Sequence, residues 1–350
     1  MQSTVRSPRR STSATQAQAR AKVPTAVLGT GSIGARHLRV LRDLVGAPVS
    51  AVPVRASRRW ELEDQRFKVC STLEEAVAGG ARAVVVATDT ARHMADLGAA
   101  LKLGCCVLVE KPLSPMASGL AELARSINGT NQRVYIACDL RFDASLLHFR
   151  QRLPEIGKAH SVRIECQSYL PDWRPGRDYR QSYSAREAEG GVLLDLIHEI
   201  DYAVWLFGPP SQVFARLANF GRLGIAAEES ADLYWQAPGG TAVSIRLDYL
   251  TPSTHRNMSV YGEWGEIEWD GVAQSVSLCC RDSMERRDFP EGPDATMRDQ
   301  DAAFLEAASG GDADTLTTFA EGALAVSICD AARRSSMSGK FEAVVEWRAM

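Results

Sequence analysis

Residues 23–34 read Val23-Pro24-Thr25-Ala26-Val27-Leu28-Gly29-Thr30-Gly31-Ser32-Ile33-Gly34, an apolar run that ends in glycines spaced G-x-G-x-x-G. From Arg36 onward the pattern turns helical, with Leu38, Leu41 and Val45 on one face. Strand, glycine turn, helix is the order of the phosphate-binding turn in dinucleotide folds. Gly29 permits the tight turn, Gly31 lets the backbone approach a pyrophosphate, and Gly34 lets the helix pack close to its strand. Ser32 and Ile33 complete the turn, where the free N–H groups of the helix start face the phosphates.

Working outward, the same alternation repeats. Val49–Val54 reads as a second strand, Val69-Cys70 as a short third and Leu73–Val77 as a short helix. Ala83–Ala87 is a continuous A-V-V-V-A run, the pattern of a parallel strand covered on both faces. Ala91–Leu103 reads as a helix stopped by Gly104, Cys106–Val109 as a strand running into Glu110-Lys111-Pro112, and Ala117–Ile127 and Arg133–Ala137 as one more helix and strand. Such a series makes a doubly wound parallel sheet, so an α/β Rossmann domain is expected over residues 23–140.

After Arg141 the texture changes. Val162, Ile164 and Cys166 alternate with polar residues, as do Val243, Ile245, Leu247 and Tyr249. Period-two runs suit an open, mainly antiparallel sheet with one face covered. Gly190–Phe207 reads as a strongly helical run, Ala302–Ala308 and Ala323–Arg333 as closing helices, and Phe341–Trp347 as a last strand. Residues 141–350 are therefore expected to form a second, α+β domain.

Composition limits the partners. At 350 residues, 45% apolar and 24% charged, the chain has the make-up of a globular protein with room for two cores. Residues 1–22 hold Arg6, Arg9, Arg10, Arg20 and Lys22 and no acid; without hydrophobic periodicity they read as a disordered tail. The whole chain carries a formal −3, so the remainder is more acidic still, which argues against a nucleic-acid partner. No apolar run is long enough to span a bilayer, so no membrane partner is expected. The eight cysteines include no C-x-x-C and no metal-ligand spacing. They suit a reducing compartment, and a cytoplasmic protein without a metal site is expected.

Four motifs occur in order: G-T-G-S-I-G at 29–34, A-T-D-T-A-R-H at 87–93, E-K-P-L at 110–113 and G-G-V-L-L-D-L-I-H-E-I-D at 190–201. Together they resemble the glucose–fructose oxidoreductase, inositol dehydrogenase and rhizopine-catabolism (Gfo/Idh/MocA) family, over roughly residues 23–347. The resemblance implies an NAD(P)-dependent enzyme that oxidises or reduces a hydroxyl or carbonyl on a sugar, cyclitol or sugar nucleotide. It also implies a homo-oligomer built through the C-terminal sheet. By the same resemblance Thr88, His93 and Glu110 lie near the cofactor, although a capping or packing role suits His93 equally.

Lys111 follows a buried strand, and the carboxyl ends of parallel strands face the crevice where ligands bind. An ammonium there can polarise a carbonyl oxygen or stabilise an alkoxide; the plainer alternative is a solvated surface lysine. Asp195 and His198 stand three apart on one expected helix and so share a face. His198 can accept a hydroxyl proton, with Asp195 orienting it or holding substrate hydroxyls. Many relatives space this pair four apart, which leaves the division of labour between the two open. The alternative for His198 is a core histidine bonded to a helix carbonyl.

Two further readings concern specificity. An NAD-specific fold places an acid about 20 residues past the glycine turn to bond the ribose 2′-hydroxyl. Here no acid occurs between Asp43 and Glu61, and Arg55, Ser57, Arg58 and Arg59 offer donors for a 2′-phosphate instead. NADP is therefore expected over NAD. The loop Pro171–Ser184 combines Trp173, Arg174, Arg177, Tyr179, Arg180 and Tyr183, arginine forks for an anion and aromatic faces for a ring. It is expected to bind the substrate, an anionic sugar or sugar nucleotide, though an interface or solvated loop fits equally. The rival functions are reduction of a non-sugar carbonyl, of dihydrodiol or tetrapyrrole type, and a cofactor-binding regulator without catalysis.

Overall fold

The computed structural model describes residues 23–45, 49–128, 133–281 and 283–347. The expected tail at 1–22 lies outside the described residues.

Six strands run parallel: β1 (Thr25–Leu28), β2 (Ser50–Val52), β3 (Lys68–Val69), β4 (Ala83–Val86), β5 (Cys106–Glu110) and β6 (Val134–Ala137). Every residue of β1, β4 and β6 is buried. Ala26 and Leu28 pack on one face of the sheet and Val27 on the other, and Val84 and Val86 likewise oppose Val85. With each buried valine worth about 1.5–3 kcal/mol over an exposed one, these central strands are apolar at every position. The spatial order β3-β2-β1-β4-β5-β6 reverses direction between β1 and β4, which puts the ligand crevice of such a sheet at their carboxyl ends.

The second sheet holds β7 (Ala159–Gln167), β8 (Gln212–Ala218), β9 (Ser230–Gln236), β10 (Ala242–Asp248), β11 (His255–Gly262), β12 (Gly265–Asp270), β13 (Ser275–Cys280) and β14 (Ser283–Asp288). β7 and β10 pair in parallel, and every other pairing in this sheet is antiparallel. The expected alternation holds: Val243, Ile245 and Leu247 are buried against the helices, while Arg246 faces outward beside Asp232.

The chain does not divide cleanly at residue 140. After β14 the helix Ala295–Ala308 returns to the first domain and packs on the helix Ser32–Val45, and β15 (Thr317–Thr318) adds antiparallel to β6. Phe304, Leu305 and Leu316 thereby complete the core beneath Leu38 and Leu41. The helix Phe319–Ser338 then crosses back to the second sheet, opened by a capping box of Thr318 and Glu321 and closed by Gly339 in the left-handed region. Of the expected last strand at 341–347 only β16 (Glu342–Ala343) pairs, along β8.

Arg141, in the turn Asp139–Phe142 after β6, is the rivet between the two units. Its guanidinium donates to both carboxylate oxygens of Asp201 at 2.9 and 2.7 Å and to Glu321 at 2.9 Å, with 1% of its side chain exposed. Removing one partner of such a pair costs about 3–5 kcal/mol, because the other charge stays buried.

The expected single helix over 190–207 is two helices, Val192–Asp195 and His198–Phe207, with Leu196 between them at φ −99°, ψ 34°. In a continuous helix the Asp195 carbonyl would accept the Glu199 N–H. Here Glu199 donates to Leu196 instead, at 3.3 Å, which leaves the Asp195 carbonyl free for another donor.

Candidate active site

The glycine turn has the expected shape. Gly29 sits at φ +89°, and a Cβ there would lie 2.5 Å from the Ala87 carbonyl oxygen. At Gly34 a Cβ would meet the Gly29 carbonyl at 2.0 Å, so helix and strand are in backbone contact. At Gly31 a Cβ would meet nothing within 4 Å. That position opens onto the crevice at the start of the helix Ser32–Val45, where Ser32 is exposed. Close packing at two glycines and open space at the third fit a pyrophosphate laid over the turn.

Beside it, β4 and β5 end in two turns stapled together. His93 is buried, with Nδ1 2.8 Å from the Pro112 carbonyl and Nε2 3.0 Å from the Thr88 carbonyl. Burial pushes its pKa down, against the two carbonyls that favour the charged ring. His93 is thus packed between the two turns, with each ring nitrogen against one carbonyl. The Thr88 hydroxyl donates to Asp96 at 2.7 Å. The peptide between Lys111 and Pro112 is cis.

Lys111 is half-buried at the end of β5, and its Nζ donates to the freed main-chain carbonyl of Asp195 at 2.8 Å. The Asp195 side chain is buried; Oδ2 accepts the Tyr249 hydroxyl at 2.7 Å, and Oδ1 has no partner among the described residues. Burial and then the Asp195 charge raise the Tyr249 phenol well above its ordinary value, so it stays protonated and donates. The same causes act in the same order on Tyr183, close by.

The side chain of His198 is 11% exposed, and its Nε2 lies 3.9 Å from Asp139 Oδ1. Nδ1 is buried and has no partner among the described residues. Burial, then the charges of Lys111 and Arg256, push its pKa well down, so the ring is neutral near pH 7 and able to accept a proton. Among the described residues, no helix carbonyl accepts from either ring nitrogen. Asp139 has its pKa raised by burial and by the nearby Glu110 charge. Lys111, Asp195 and His198 thus meet in one place, though the last two stand on separate helices and not on one face of a single helix.

Other expected residues are placed differently. Glu110 is buried and faces His37 beneath the site, at 2.9 Å, not the crevice. Arg58 pairs with Glu61 at 2.6 Å; Arg59 pairs with Glu63 at 2.9 Å and donates to Ser71 at 3.1 Å. Arg55 and Ser57 are exposed in the loop after β2. The Pro171–Ser184 loop splits in two. Trp173 stacks edge-on against Tyr249 with ring centres 5.4 Å apart, and the Arg174 guanidinium lies 5.7 Å from the centre of the Tyr183 ring, so these three border the site. Tyr179 packs against the core and is tied to the Leu223 carbonyl at 2.9 Å, Arg180 is exposed over the Tyr179 ring, and Arg177 is exposed.

Sequence reasoning missed Tyr249, Asp139 and His37. The signal for Tyr249 was the inward alternation of Ile245 and Leu247, which delivers a tyrosine to the buried face at the strand's end. His37 shares the inward face of its helix with Gly34, Leu38 and Leu41. Nothing local marks Asp139. Two cavities of about 570 and 720 Å³ flank Trp347, far from this chemistry; neither is lined by Lys111, Asp195 or His198. Among the described residues, no group of His, Cys, Asp and Glu is arranged to hold a metal ion, and no helix is long and apolar enough to cross a membrane.

Comparison with known proteins bears on the family and the fold. Residues 23–138 match the model of an oxidoreductase family with an NAD-binding Rossmann fold, and residues 152–268 match the GFO/IDH/MocA C-terminal domain. An inositol 2-dehydrogenase/D-chiro-inositol 3-dehydrogenase of Shouchella clausii is 29% identical over 197 residues. That match spans 54% of this chain and 54% of the relative, about half the length of each. A myo-inositol dehydrogenase of Streptomyces leeuwenhoekii is 28% identical over 90% of this chain and 97% of its own. A solved levoglucosan dehydrogenase in complex with NADH superposes with a TM-score of 0.82 at 18% identity, covering 93% of this chain and 99% of that one, a likeness of fold. Matched in its first part by the nucleotide-binding model and in its second by the companion C-terminal model, the chain belongs to the Gfo/Idh/MocA family of oxidoreductases.

Proposed function

We propose that this protein is an NAD(P)-dependent oxidoreductase acting on the hydroxyl or carbonyl carbon of a sugar-like substrate. The observation that carries the reading is the convergence of Lys111, Asp195 and His198 beside the glycine turn. When bound, the nicotinamide cofactor donates or accepts the hydride. The remaining work belongs to the side chains. The Lys111 ammonium, held on the Asp195 carbonyl, offers its other two protons to the substrate oxygen and stabilises the charge that grows there. Neutral His198 takes the hydroxyl proton in the oxidative direction. Asp195 Oδ1, buried and without a partner, accepts from a neighbouring substrate hydroxyl, while Tyr249 fixes the carboxylate's orientation.

NADP is the favoured carrier in this reading. No acid stands at the end of β2 to hold a ribose 2′-hydroxyl or repel a 2′-phosphate, and Arg55 is exposed in the loop that follows. The Arg58–Glu61 and Arg59–Glu63 pairs are part-exposed, so each is worth at most about 1 kcal/mol and can open to a phosphate dianion at little cost. The substrate class is an anionic sugar, supported by Arg174 at the border of the site beside Trp173 and Tyr183. Turnover of sugars, sugar acids, sugar nucleotides and cyclitols with each nicotinamide, read by its absorbance, tests the proposal. Reduction of non-sugar carbonyls alone would favour the rival enzyme, and cofactor binding without turnover the regulator.

A further inference from the structure

His37 lies three residues past the glycine turn, on the inward face of the helix Ser32–Val45, and none of it is exposed. Nδ1 is 2.9 Å from Asp301 Oδ2 and Nε2 is 2.9 Å from Glu110 Oε1. A neutral imidazole has one N–H and one lone pair, so it would turn that lone pair toward a carboxylate. The imidazolium donates to both. Burial alone would lower the pKa of the ring; the charge and hydrogen bond of Asp301, followed by those of Glu110, outweigh it and raise the pKa to about 10.

The contact does not stop at Glu110. Its second oxygen, Oε2, accepts the main-chain N–H of Lys111 at 3.1 Å. A continuous path therefore joins Asp301, on the helix Ala295–Ala308, through His37 and Glu110 to the peptide of Lys111. Next to His37, Arg36 ties the same C-terminal segment down through Asp294, at 2.6 Å, and the Pro293 carbonyl. The anion at Glu110 is one residue from the ammonium that must sit on Asp195. Left uncompensated, it would compete for that ammonium.

We propose that His37 is a positioning residue for the reaction: its imidazolium neutralises Glu110 and holds the Glu110–Lys111 peptide, so that the Lys111 ammonium stays on the Asp195 carbonyl and aimed at the substrate oxygen. It touches neither substrate nor cofactor. The inference rests on the role of Lys111 proposed above.

The experiment compares His37→Gln, Glu110→Gln and Lys111→Ala with the parent protein on one substrate that it turns over. In His37→Gln, kcat falls about tenfold or more while substrate KM and the cofactor Kd stay within about twofold, because the lost interaction positions the reacting group and does not bind the ligand. A His37→Gln/Glu110→Gln double variant, in which the uncompensated anion is gone, regains kcat to within about threefold of the parent whatever its melting temperature. A merely structural histidine gives no such recovery. Unchanged kcat in folded His37→Gln overturns the inference, as does a double variant no faster than the single. Should His37→Gln fail to fold, Glu110→Gln decides: with the anion gone and the His37–Asp301 pair kept, kcat stays within about threefold of the parent, and a tenfold fall overturns the neutralising role. Lys111→Ala separates the two claims. If it retains parent kcat, the role of Lys111 is wrong; if it is inactive while folded His37→Gln keeps the parent kcat, only the role of His37 is.

Discussion

Lys111 donates its side-chain ammonium to the main-chain carbonyl of Asp195, 2.8 Å away in space and 84 residues away in sequence. The bond exists because the helix breaks after Asp195, which removes that carbonyl's own helical partner. One end of the contact belongs to the nucleotide-binding sheet and the other to the substrate domain. The contact therefore ties the two sides of the crevice together at the residues proposed to carry the chemistry.

Tyr249 keeps Asp195 in place. In Tyr249→Phe, Oδ2 of a buried carboxylate loses its donor, which costs about 1–3 kcal/mol of stability. Chemical denaturation measures that loss. Substrate KM rises in the same variant, because the carboxylate is free to turn from the hydroxyl it receives; a variant as stable as the parent contradicts the role.

Among the described residues, Arg55 is the guanidinium of its loop with no carboxylate to leave. Arg55→Ala weakens NADP binding by about tenfold, the worth of one charge-assisted hydrogen bond, and leaves NAD binding unchanged. Arg59→Ala has the smaller effect on NADP, since its fork already serves Glu63 and Ser71. Isothermal titration with both cofactors checks this, and equal affinity of the parent protein for the two contradicts the preference.

The loop arginines are predicted to be unequal. Arg174→Ala raises KM for an anionic substrate and reduces the sensitivity of KM to salt, whereas Arg177→Ala and Arg180→Ala leave both near the parent values. Steady-state kinetics at two ionic strengths give the answer. Equal effects at all three positions would place the anion on the outside of the loop.

His37 makes stability depend on pH. Its pKa rises from 6.5 to about 10 on folding, so the folded state holds the proton more tightly than the unfolded chain. The stabilisation is whole below about pH 6.5 and fades as pH climbs toward 10. The melting temperature of the parent minus that of His37→Gln therefore shrinks across this window. A difference that is flat with pH rules out a charged ring.

Much of this was legible in the chain. The valine runs of β4 and β5 and the spacing of Gly29, Gly31 and Gly34 fix a parallel sheet and its crevice through local physics: burial on both faces, and backbone contact at two glycines. The Lys111, Asp195 and His198 cluster was legible by resemblance. What the sequence hid is set by contacts across long separations. The break at Leu196 frees the Asp195 carbonyl that Lys111 takes from another part of the fold, and helical periodicity carries no trace of it. The charge of His37 depends on Asp301, 264 residues away. The pairing of Arg58 and Arg59 with Glu61 and Glu63 was visible as i,i+3 and i,i+4 spacing, but the absence of an acid before Glu61 drew attention away from the acids after it.

The central claim is that Lys111 acts on the chemical step. Single-turnover hydride transfer, followed by nicotinamide absorbance with saturating cofactor and substrate, measures that step alone. The Lys111→Ala protein is predicted to transfer hydride about 10²–10³-fold more slowly than the parent while binding the cofactor within about threefold. A variant that binds the cofactor normally and transfers hydride at the parent rate would contradict it.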